Sequence, residues 1–329
     1  MGSRANFVIA DRDGWRLRYS HWAASGIASI VAPGPSAALR FIDAQADGEW
    51  LDDVWAEGGA LVDVTRRVLL LWGDDLTDEL PVRRAFMRVL ALTWPGWTVR
   101  WATDGLGDLA AHVGLDRAAV RNLDPPEPVE PPADGDSFEL LTVRRPGGRL
   151  DAYRFGIRFS DHLARLGPAV LGLTGSAERL PLALPEVPYA GLHLDLGTRR
   201  AGWWTGGIAP GLAEDPAGRW LGWTLEPWGD RYEAQLALCD GLVTAPEPGQ
   251  AAALAYLTRC LRAPPSDPVA SVRELAARMG AEGGEVELSP AALAHVRVEP
   301  DADEWARVEL ALAEVARELA GESAGEPTG

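Results

Sequence analysis

The sequence predicts an α+β fold made of two tandem related halves, each an antiparallel hairpin-based sheet with covering helices, plus a helical C-terminal segment. The main observation is an internal sequence similarity: residues 59–73 and 191–206 both contain Asp, then Thr-Arg-Arg, then Trp and Gly. A second similarity joins 96–104, GWTVRWATD, to 222–230, GWTLEPWGD. Since the similarities keep the same order and nearly the same spacing, we infer that one module was duplicated.

Each half opens on a stretch that supports the same duplication. Residues 7–22 and 137–155 predict antiparallel hairpins, since strand-like runs flank tight turns that contain Gly. We align Phe7 of the first hairpin with Phe138 of the second. Because hairpins dominate the strand content, we expect antiparallel sheets with helices packed on one face.

Two helices are predicted between the strands of the first half. Ser36 suits the N-cap of a helix over 36–46, and Pro81 suits the first turn of a helix over 81–92. The second helix has an apolar stripe at helical spacing, formed by Val82, Phe86, Val89 and Leu90. We expect both helices to cover the sheet of the first half.

A proline-rich run separates the two halves. Pro is excluded from helix interiors and central strands, so LDPPEPVEPPADGD predicts a semi-rigid linker. This divides the chain into a first repeat 1–123, a linker 124–136, a second repeat 137–262, a helical segment 263–320 and a disordered tail 321–329.

The clearest predicted helix lies near the C-terminus, within 301–320. Asp301 and Glu304 have the spacing of a capping box, with Asp in place of Ser or Thr. One apolar stripe follows at helical spacing, formed by Trp305, Val308, Leu312, Val315 and Leu319. The stripe packs either on the core of its own chain or on a second copy in a homodimer.

Composition excludes several classes of function. The net charge of −17 argues against binding nucleic acid or an anionic membrane surface. All 31 basic residues are Arg, which removes the Lys needed by a Walker A loop, a protein kinase or a Schiff-base enzyme. No CxxC motif, signal peptide or membrane-spanning run is found. We therefore expect a cytoplasmic protein without a cofactor.

The candidate catalytic residues lie in the first half. His21 follows a predicted strand, and it is either a hydrogen-bonded core residue or a general base. Glu57 and Asp63, which flank the next strand, are the candidate carboxylates that would orient it.

His193 and Asp195 lie two residues apart, so both project from one face of a predicted strand. Two ligands do not make a metal site, and spacing provides no third, so we predict binding residues and no metal. Asp63 and Asp195 more readily shape their turns by accepting hydrogen bonds from the backbone before Thr-Arg-Arg.

The 14 Trp residues are the remaining signal. Adjacent strand residues face opposite sides, so one of Trp203 and Trp204 points outward unless helices cover both faces. With Trp22, they are the predicted anchors for a protein partner. The first hypothesis is therefore an acidic binding protein of the inhibitor or immunity type. The alternative is a metal-independent hydrolase or transferase that uses His21 in a site between the halves.

Overall fold

The computed structural model describes residues 2–73, 79–122, 138–156, 162–212, 214, 218–247, 249–264, 267–281 and 287–325. The chain forms two compact units. Unit 1 comprises Met1–Asn122 and Gly249–Gly329, and unit 2 comprises Leu123–Pro248. The predicted linker 124–136 lies outside the described residues.

Unit 1 is built on a six-stranded sheet with the order β3-β2-β1-β4-β5-β6. The strands are β1 (Ala5–Asp11), β2 (Gly14–Ser20), β3 (Ala46–Asp47), β4 (Gly58–Asp63), β5 (Val68–Gly73) and β6 (Thr98–Trp101). The pairs β1–β2 and β4–β5 are antiparallel hairpins. Parallel pairs join β1 to β4 and β5 to β6, a feature that the sequence did not predict.

Among the described residues up to Asn122, four α-helices accompany this sheet. They are α1 (Ile27–Val31), α2 (Pro35–Asp43), α3 (Leu80–Thr93) and α4 (Leu106–His112). The predicted stripe of α3 is buried in the main core of unit 1, as expected. Gly34, and not Ser36, precedes the first turn of α2, since Pro35 already begins the helix.

Unit 2 is built on a five-stranded sheet with the order β12-β11-β10-β7-β8. The elements of the unit are β7 (Phe138–Arg144), β8 (Leu150–Gly156), a 3₁₀ segment (Leu163–Leu173), β9 (Leu182–Ala183), β10 (Ala190–Asp195), β11 (Arg200–Thr205), β12 (Thr224–Pro227), α5 (Tyr232–Ala237) and β13 (Val243–Thr244). The short strands β9 and β13 form a separate parallel pair.

The two sheets share one topology. The order β2-β1-β4-β5-β6 in unit 1 matches β8-β7-β10-β11-β12 in unit 2, with parallel and antiparallel pairs at the same places. The register agrees as well, because Gly59 lies opposite Trp72 and Gly191 lies opposite Trp204. The α+β fold with two tandem hairpin-based halves is therefore confirmed.

The alignment of the first strands needs one correction. Phe7 pairs with Ala60 in unit 1, and Leu141 pairs with Leu192, the equivalent of Ala60, in unit 2. Phe7 therefore corresponds to Leu141 and not to Phe138. Phe138 lies in a different cluster from Leu141, because strand residues separated by an odd number face opposite sides.

The C-terminal segment returns to unit 1. It contains α6 (Gln250–Arg262), α7 (Pro268–Ala281), α8 (Pro290–Leu293) and α9 (Ala302–Gly325). The sequence places 250–262 at the end of the second repeat, yet Leu254, Leu257 and Leu261 are buried in the core of unit 1. The compact units thus differ from the predicted boundaries because α6 and α9 both pack against α3.

The apolar stripe of α9 lies inside its own unit. Val308, Leu312, Val315 and Leu319 belong to the main core of unit 1, and Trp305 packs against it. The apolar stripe that would have formed the predicted homodimer contact through 301–320 is therefore buried within the same chain. The helix continues to Gly325, so residues 321–325 of the predicted disordered tail are helical, and 326–329 lie outside the described residues.

The predicted capping box at the start of α9 is confirmed. The Asp301 N–H donates to Glu304 Oε2 at 2.9 Å, and the Glu304 N–H donates to Asp301 Oδ1 at 2.8 Å. Glu304 is buried and accepts two further hydrogen bonds from the Arg40 guanidinium of α2, at 2.7 and 2.6 Å. One carboxylate therefore caps α9 and ties it to α2. Within the described part of the chain, no helix is both long and apolar enough to span a membrane.

We expect unit 1 to lose stability in acid through Glu304. Its hydrogen bonds with Arg40 hold the pKa of this carboxyl below its usual range, against the opposing effect of burial. A lowered pKa contributes stability that is complete above the unfolded-state value, about 4.3, and is lost as the pH falls through the folded value. Denaturant unfolding of wild type and Glu304→Gln between pH 7 and 3 checks this. The variant should be less stable at pH 7, and the difference should shrink on acidification; a constant difference contradicts the assignment.

Candidate functional site

His21 lies at the end of β2 in a cluster of aromatic side chains. Its Nδ1 shares a hydrogen bond of 2.8 Å with the Tyr19 hydroxyl, and its ring meets the Trp22 ring edge to face at 4.8 Å between centroids. Trp22 is half-buried, and its Nε1 donates to the Ala292 carbonyl at 3.1 Å. Trp22, a predicted binding residue, therefore has a structural contact within unit 1.

Glu57 is held by the backbone of Arg4, which directly precedes β1. Its Oε2 accepts from the Arg4 N–H at 2.7 Å, and its own N–H donates to the Arg4 carbonyl at 2.8 Å. Burial raises the pKa of the Tyr19 hydroxyl, the Arg4 charge opposes this rise, and the Glu57 charge adds to it. The Glu57 charge thus acts on the pKa of Tyr19, and the Tyr19 hydroxyl is the hydrogen-bond partner of His21 Nδ1. Glu57 therefore does not orient the imidazole through that nitrogen.

Asp63 pairs with a histidine that the sequence analysis passed over. Its Oδ2 lies 2.8 Å from Nε2 of His112, the last residue of α4, and both side chains are largely buried. Burial acts to raise the pKa of Asp63, but hydrogen bonds from the Arg66 backbone and from His112 hold it below its usual range. The structure therefore pairs Asp63 with His112, which α4 places at the end of β4. Asp63 lies opposite Ala10 of β1, whereas His21 follows Ser20, which lies opposite Ala5 at the other end of that strand.

The two turn aspartates act as predicted. Asp63 Oδ1 accepts from the Arg66 N–H at 2.7 Å, while Asp195 Oδ1 accepts from the Gly197 and Thr198 N–H groups at 2.8 and 3.0 Å. These hydrogen bonds fix the hairpin turn in each half.

His193 belongs to a buried polar network in unit 2. Its Nδ1 shares a hydrogen bond of 2.9 Å with Thr142 Oγ1, which also accepts from Gln235. Burial, together with the Arg144 charge, lowers the pKa of His193 to about 4, so its ring is neutral at neutral pH. Among the described residues, no group of three or more His, Cys, Asp or Glu could hold a metal ion.

Trp203 and Trp204 are not surface anchors. They are only 2% and 1% exposed, since Trp203 packs in the main core of unit 2 and Trp204 packs beside α5. Trp204 Nε1 donates to the Gln235 side chain at 2.7 Å. Both faces of this sheet are covered at Trp203 and Trp204, as in the alternative in which neither tryptophan points outward. The two tryptophans therefore offer no exposed surface for the predicted contacts with a partner.

An exposed tryptophan, Trp55, lies instead on residues 48–57 of unit 1, which we name the tryptophan loop and which also contains the half-buried Trp50. The completely buried Asn6 anchors its start, because the Asn6 side chain donates to the Glu49 carbonyl at 3.2 Å and accepts from the Leu51 N–H at 2.8 Å. One buried amide on β1 therefore fixes the loop on the sheet.

The tip of the tryptophan loop is also fixed by hydrogen bonds. Asp52 Oδ1 accepts from the Val54 and Trp55 N–H groups at 3.0 and 2.9 Å. The Asp53 N–H donates to the Val120 carbonyl at 3.0 Å. Val54 and Trp55 nevertheless remain 60% and 54% exposed. An ordered loop thus presents two large apolar side chains to solvent.

A second exposed tryptophan adjoins the loop. Trp15, on β2, is 42% exposed, and its ring lies 6.0 Å from that of Trp50 at an interplanar angle of 56°. The Arg4 guanidinium covers the Trp55 ring at 4.5 Å. The sequence signal for this loop is the apolar pair Val54-Trp55 directly after Asp52 and Asp53, which the candidate residues predicted from sequence did not include.

No protein-family model matches this chain, and no curated protein or solved structure matches it significantly. The geometry of the site therefore carries the functional argument.

Proposed function

We propose that this chain is an acidic binding protein that engages a protein partner through the tryptophan loop and the adjoining Trp15. The observation that carries the proposal is the exposure of Val54 and Trp55 on a loop whose backbone is held by Asn6 and Asp52. Tryptophans contribute disproportionately to binding at interfaces, and a preorganised loop has little conformational entropy left to lose.

The charge of the chain supports the same proposal. A net charge of −17 favours a basic partner and fast, salt-sensitive association, as in inhibitors and immunity-type proteins. The cytoplasmic location expected from the sequence stays a prediction.

The hydrolase or transferase alternative has weaker support. His21 shares Nδ1 with Tyr19, Glu57 is bound by the Arg4 backbone, and the other predicted carboxylate, Asp63, belongs to His112. Each of the three predicted catalytic residues therefore has a partner outside the predicted group, which weakens the support for a shared acid–base site. We favour binding for that reason.

A site-specific photo-crosslinker tests the proposed function in cells. Benzoylphenylalanine at Val54 should give one dominant cross-linked species, whereas the same group at Leu310, which is 71% exposed on α9, should not. Leu310 is the matched control because it is at least as accessible as Val54, which is 60% exposed, and belongs to the same unit. Equal yields at the two positions, or no species at Val54, contradict the proposal.

Trp55→Ala should remove most of the Val54 cross-link without unfolding the chain. We expect an affinity loss of at least tenfold, since a tryptophan anchor is worth about 2 kcal/mol or more when truncated. Leu310→Ser is the control and should leave the yield unchanged. Circular dichroism and thermal unfolding should show both variants folded, and an unchanged yield in Trp55→Ala would exclude the loop as the binding surface.

A further inference from the structure

Trp15 and Trp50 form a half-open aromatic corner, and this corner points to the chemistry of a ligand. Their rings lie 6.0 Å apart and are tilted by 56°, so they present two non-parallel walls. Trp50 Nε1 is buried without a hydrogen-bond partner, so this indole offers no donor to solvent. The electron-rich face of an indole attracts cations, and Arg is the side chain most often found there.

Exposed carboxylates lie next to both tryptophans in the sequence. Asp13 lies in the turn that leads into Trp15, and Glu49 directly precedes Trp50. Both are exposed, and neither makes an ion pair with any of the described residues. Arg12 in the same turn opposes them with a single charge, and Arg16, which follows Trp15, is paired with Asp11 and Asp43. The charges of Asp13, Glu49 and Arg12 therefore leave a net negative charge beside the corner.

Other indoles of unit 1 show what such a surface accepts. The Arg4 guanidinium lies 4.5 Å from the Trp55 ring, and the Arg83 guanidinium lies 4.7 Å from the Trp101 ring. Within the described part of the chain, no guanidinium lies over Trp15 or Trp50. The corner therefore has the same chemistry as two covered tryptophans but lacks an internal cation.

We propose that the Trp15–Trp50 corner, with Asp13 and Glu49, is a binding site for an arginine side chain of a protein partner. The planar guanidinium stacks on one indole while its N–H groups reach a carboxylate. This inference rests on the proposed function, because the arginine is assigned to the protein partner that binds the tryptophan loop.

The probe is the capped peptide acetyl-Arg-Arg-Arg-amide, added to the full chain labelled with 5-fluorotryptophan. Trp15→Phe and Trp50→Phe assign the two fluorine signals by their disappearance. We expect both signals to shift and saturate with the arginine peptide and to stay unchanged with acetyl-tricitrulline-amide, which is isosteric but uncharged. An equal response to citrulline, or shifts confined to other tryptophans, overturns the proposal.

Charge variants provide matched controls. Asp13→Asn and Glu49→Gln should each lower the affinity for the arginine peptide by about two- to fivefold, and Arg12→Gln should raise that affinity by a similar factor. All three positions are exposed, so folding is preserved. If all three variants bind the arginine peptide with the wild-type affinity, a site built on these carboxylates is contradicted.

The two proposals fail in different ways. If the arginine peptide does not bind but Trp55→Ala still removes the Val54 cross-link, the partner surface stands and the arginine site is wrong. If the peptide binds the corner but the Val54 and Leu310 cross-links are equal, the arginine site stands and the proposed function is wrong.

Discussion

Trp94→Ala should destabilise unit 1 by about 3–5 kcal/mol, the usual cost of truncating a buried tryptophan to alanine. Trp94 is completely buried in the main core, and its Nε1 donates to the Val31 carbonyl at the end of α1 at 2.8 Å. Its ring also meets Trp97 edge to face at 4.9 Å. The substitution therefore leaves a large cavity and removes one of the two hydrogen bonds to the Val31 carbonyl, which also accepts from the Gly34 N–H at 3.1 Å.

Thermal unfolding and hydrogen exchange measure this effect. We expect Tm to fall on the order of 10 °C and the amides of α1 and α3 to lose protection first. Trp55→Ala is the matched control, since it removes the same side chain from an exposed position and should change stability by less than about 1 kcal/mol. A Trp94→Ala chain that unfolds like Trp55→Ala would show that this core is described incorrectly.

The second half contains the equivalent of this contact. Trp220 Nε1 donates to the Ala164 carbonyl at 2.9 Å, and Trp220 meets Trp223 edge to face at 5.7 Å. Gly96 and Gly222, which lie between the paired tryptophans, have φ angles of +78° and +80°. The shared Trp-x-Gly-Trp-Thr segment was visible in the sequence because a left-handed turn between two packed indoles constrains nearly every position.

The equivalent hairpin turns were also predictable, whereas the parallel strand pairs and the site were not. Asp63 and Asp195 mark equivalent turns because a turn is fixed by neighbours in sequence. The partner of Asp63, His112, lies on a later helix, and no spacing rule links a strand end to a helix end across such a separation. For the same reason, spacing alone could not decide which carboxylate lies beside His21.

Burial of the adjacent tryptophans was undecided from sequence for a different reason. Alternation along β11 sends Trp203 and Trp204 to opposite faces, but it does not say whether each face is covered. The 3₁₀ segment and α5 cover them, and neither has a long amphipathic pattern. The exposed residues Val54 and Trp55 were equally undecided, since their exposure depends on the anchoring of a loop by Asn6.

The two halves differ in one buried contact between a glycine, a tryptophan and a helix residue. Gly59 and Gly191 occupy equivalent positions, and each is covered by a tryptophan and by one helix residue. The helix residue is Leu109 beside Trp72 in unit 1, and it is Gln235 beside Trp204 in unit 2. Trp72 Nε1 is buried without a hydrogen-bond partner, whereas Trp204 Nε1 donates to Gln235. The polar network of unit 2 therefore depends on one glutamine that the first half lacks.

Gln235→Leu should destabilise unit 2 by about 1–3 kcal/mol for each buried group left unpaired. Gln235 accepts from Trp204 and donates to the Leu140 and Leu192 carbonyls at 3.0 and 3.1 Å, so more than one group is affected. Denaturant unfolding measures the loss, and hydrogen exchange should locate it in β10 and β11.

The reciprocal substitution makes the test specific. Leu109→Gln provides Trp72 Nε1 with an acceptor, so it should cost less than Leu106→Gln, which places the same amide at another buried position of α4. A buried amide is tolerated only where its hydrogen bonds are satisfied, and the duplicated Gly–Trp contact offers such a partner at one position. If the two variants are equally unstable, the equivalence of Leu109 and Gln235 is wrong, and the divergence of the two halves needs another explanation.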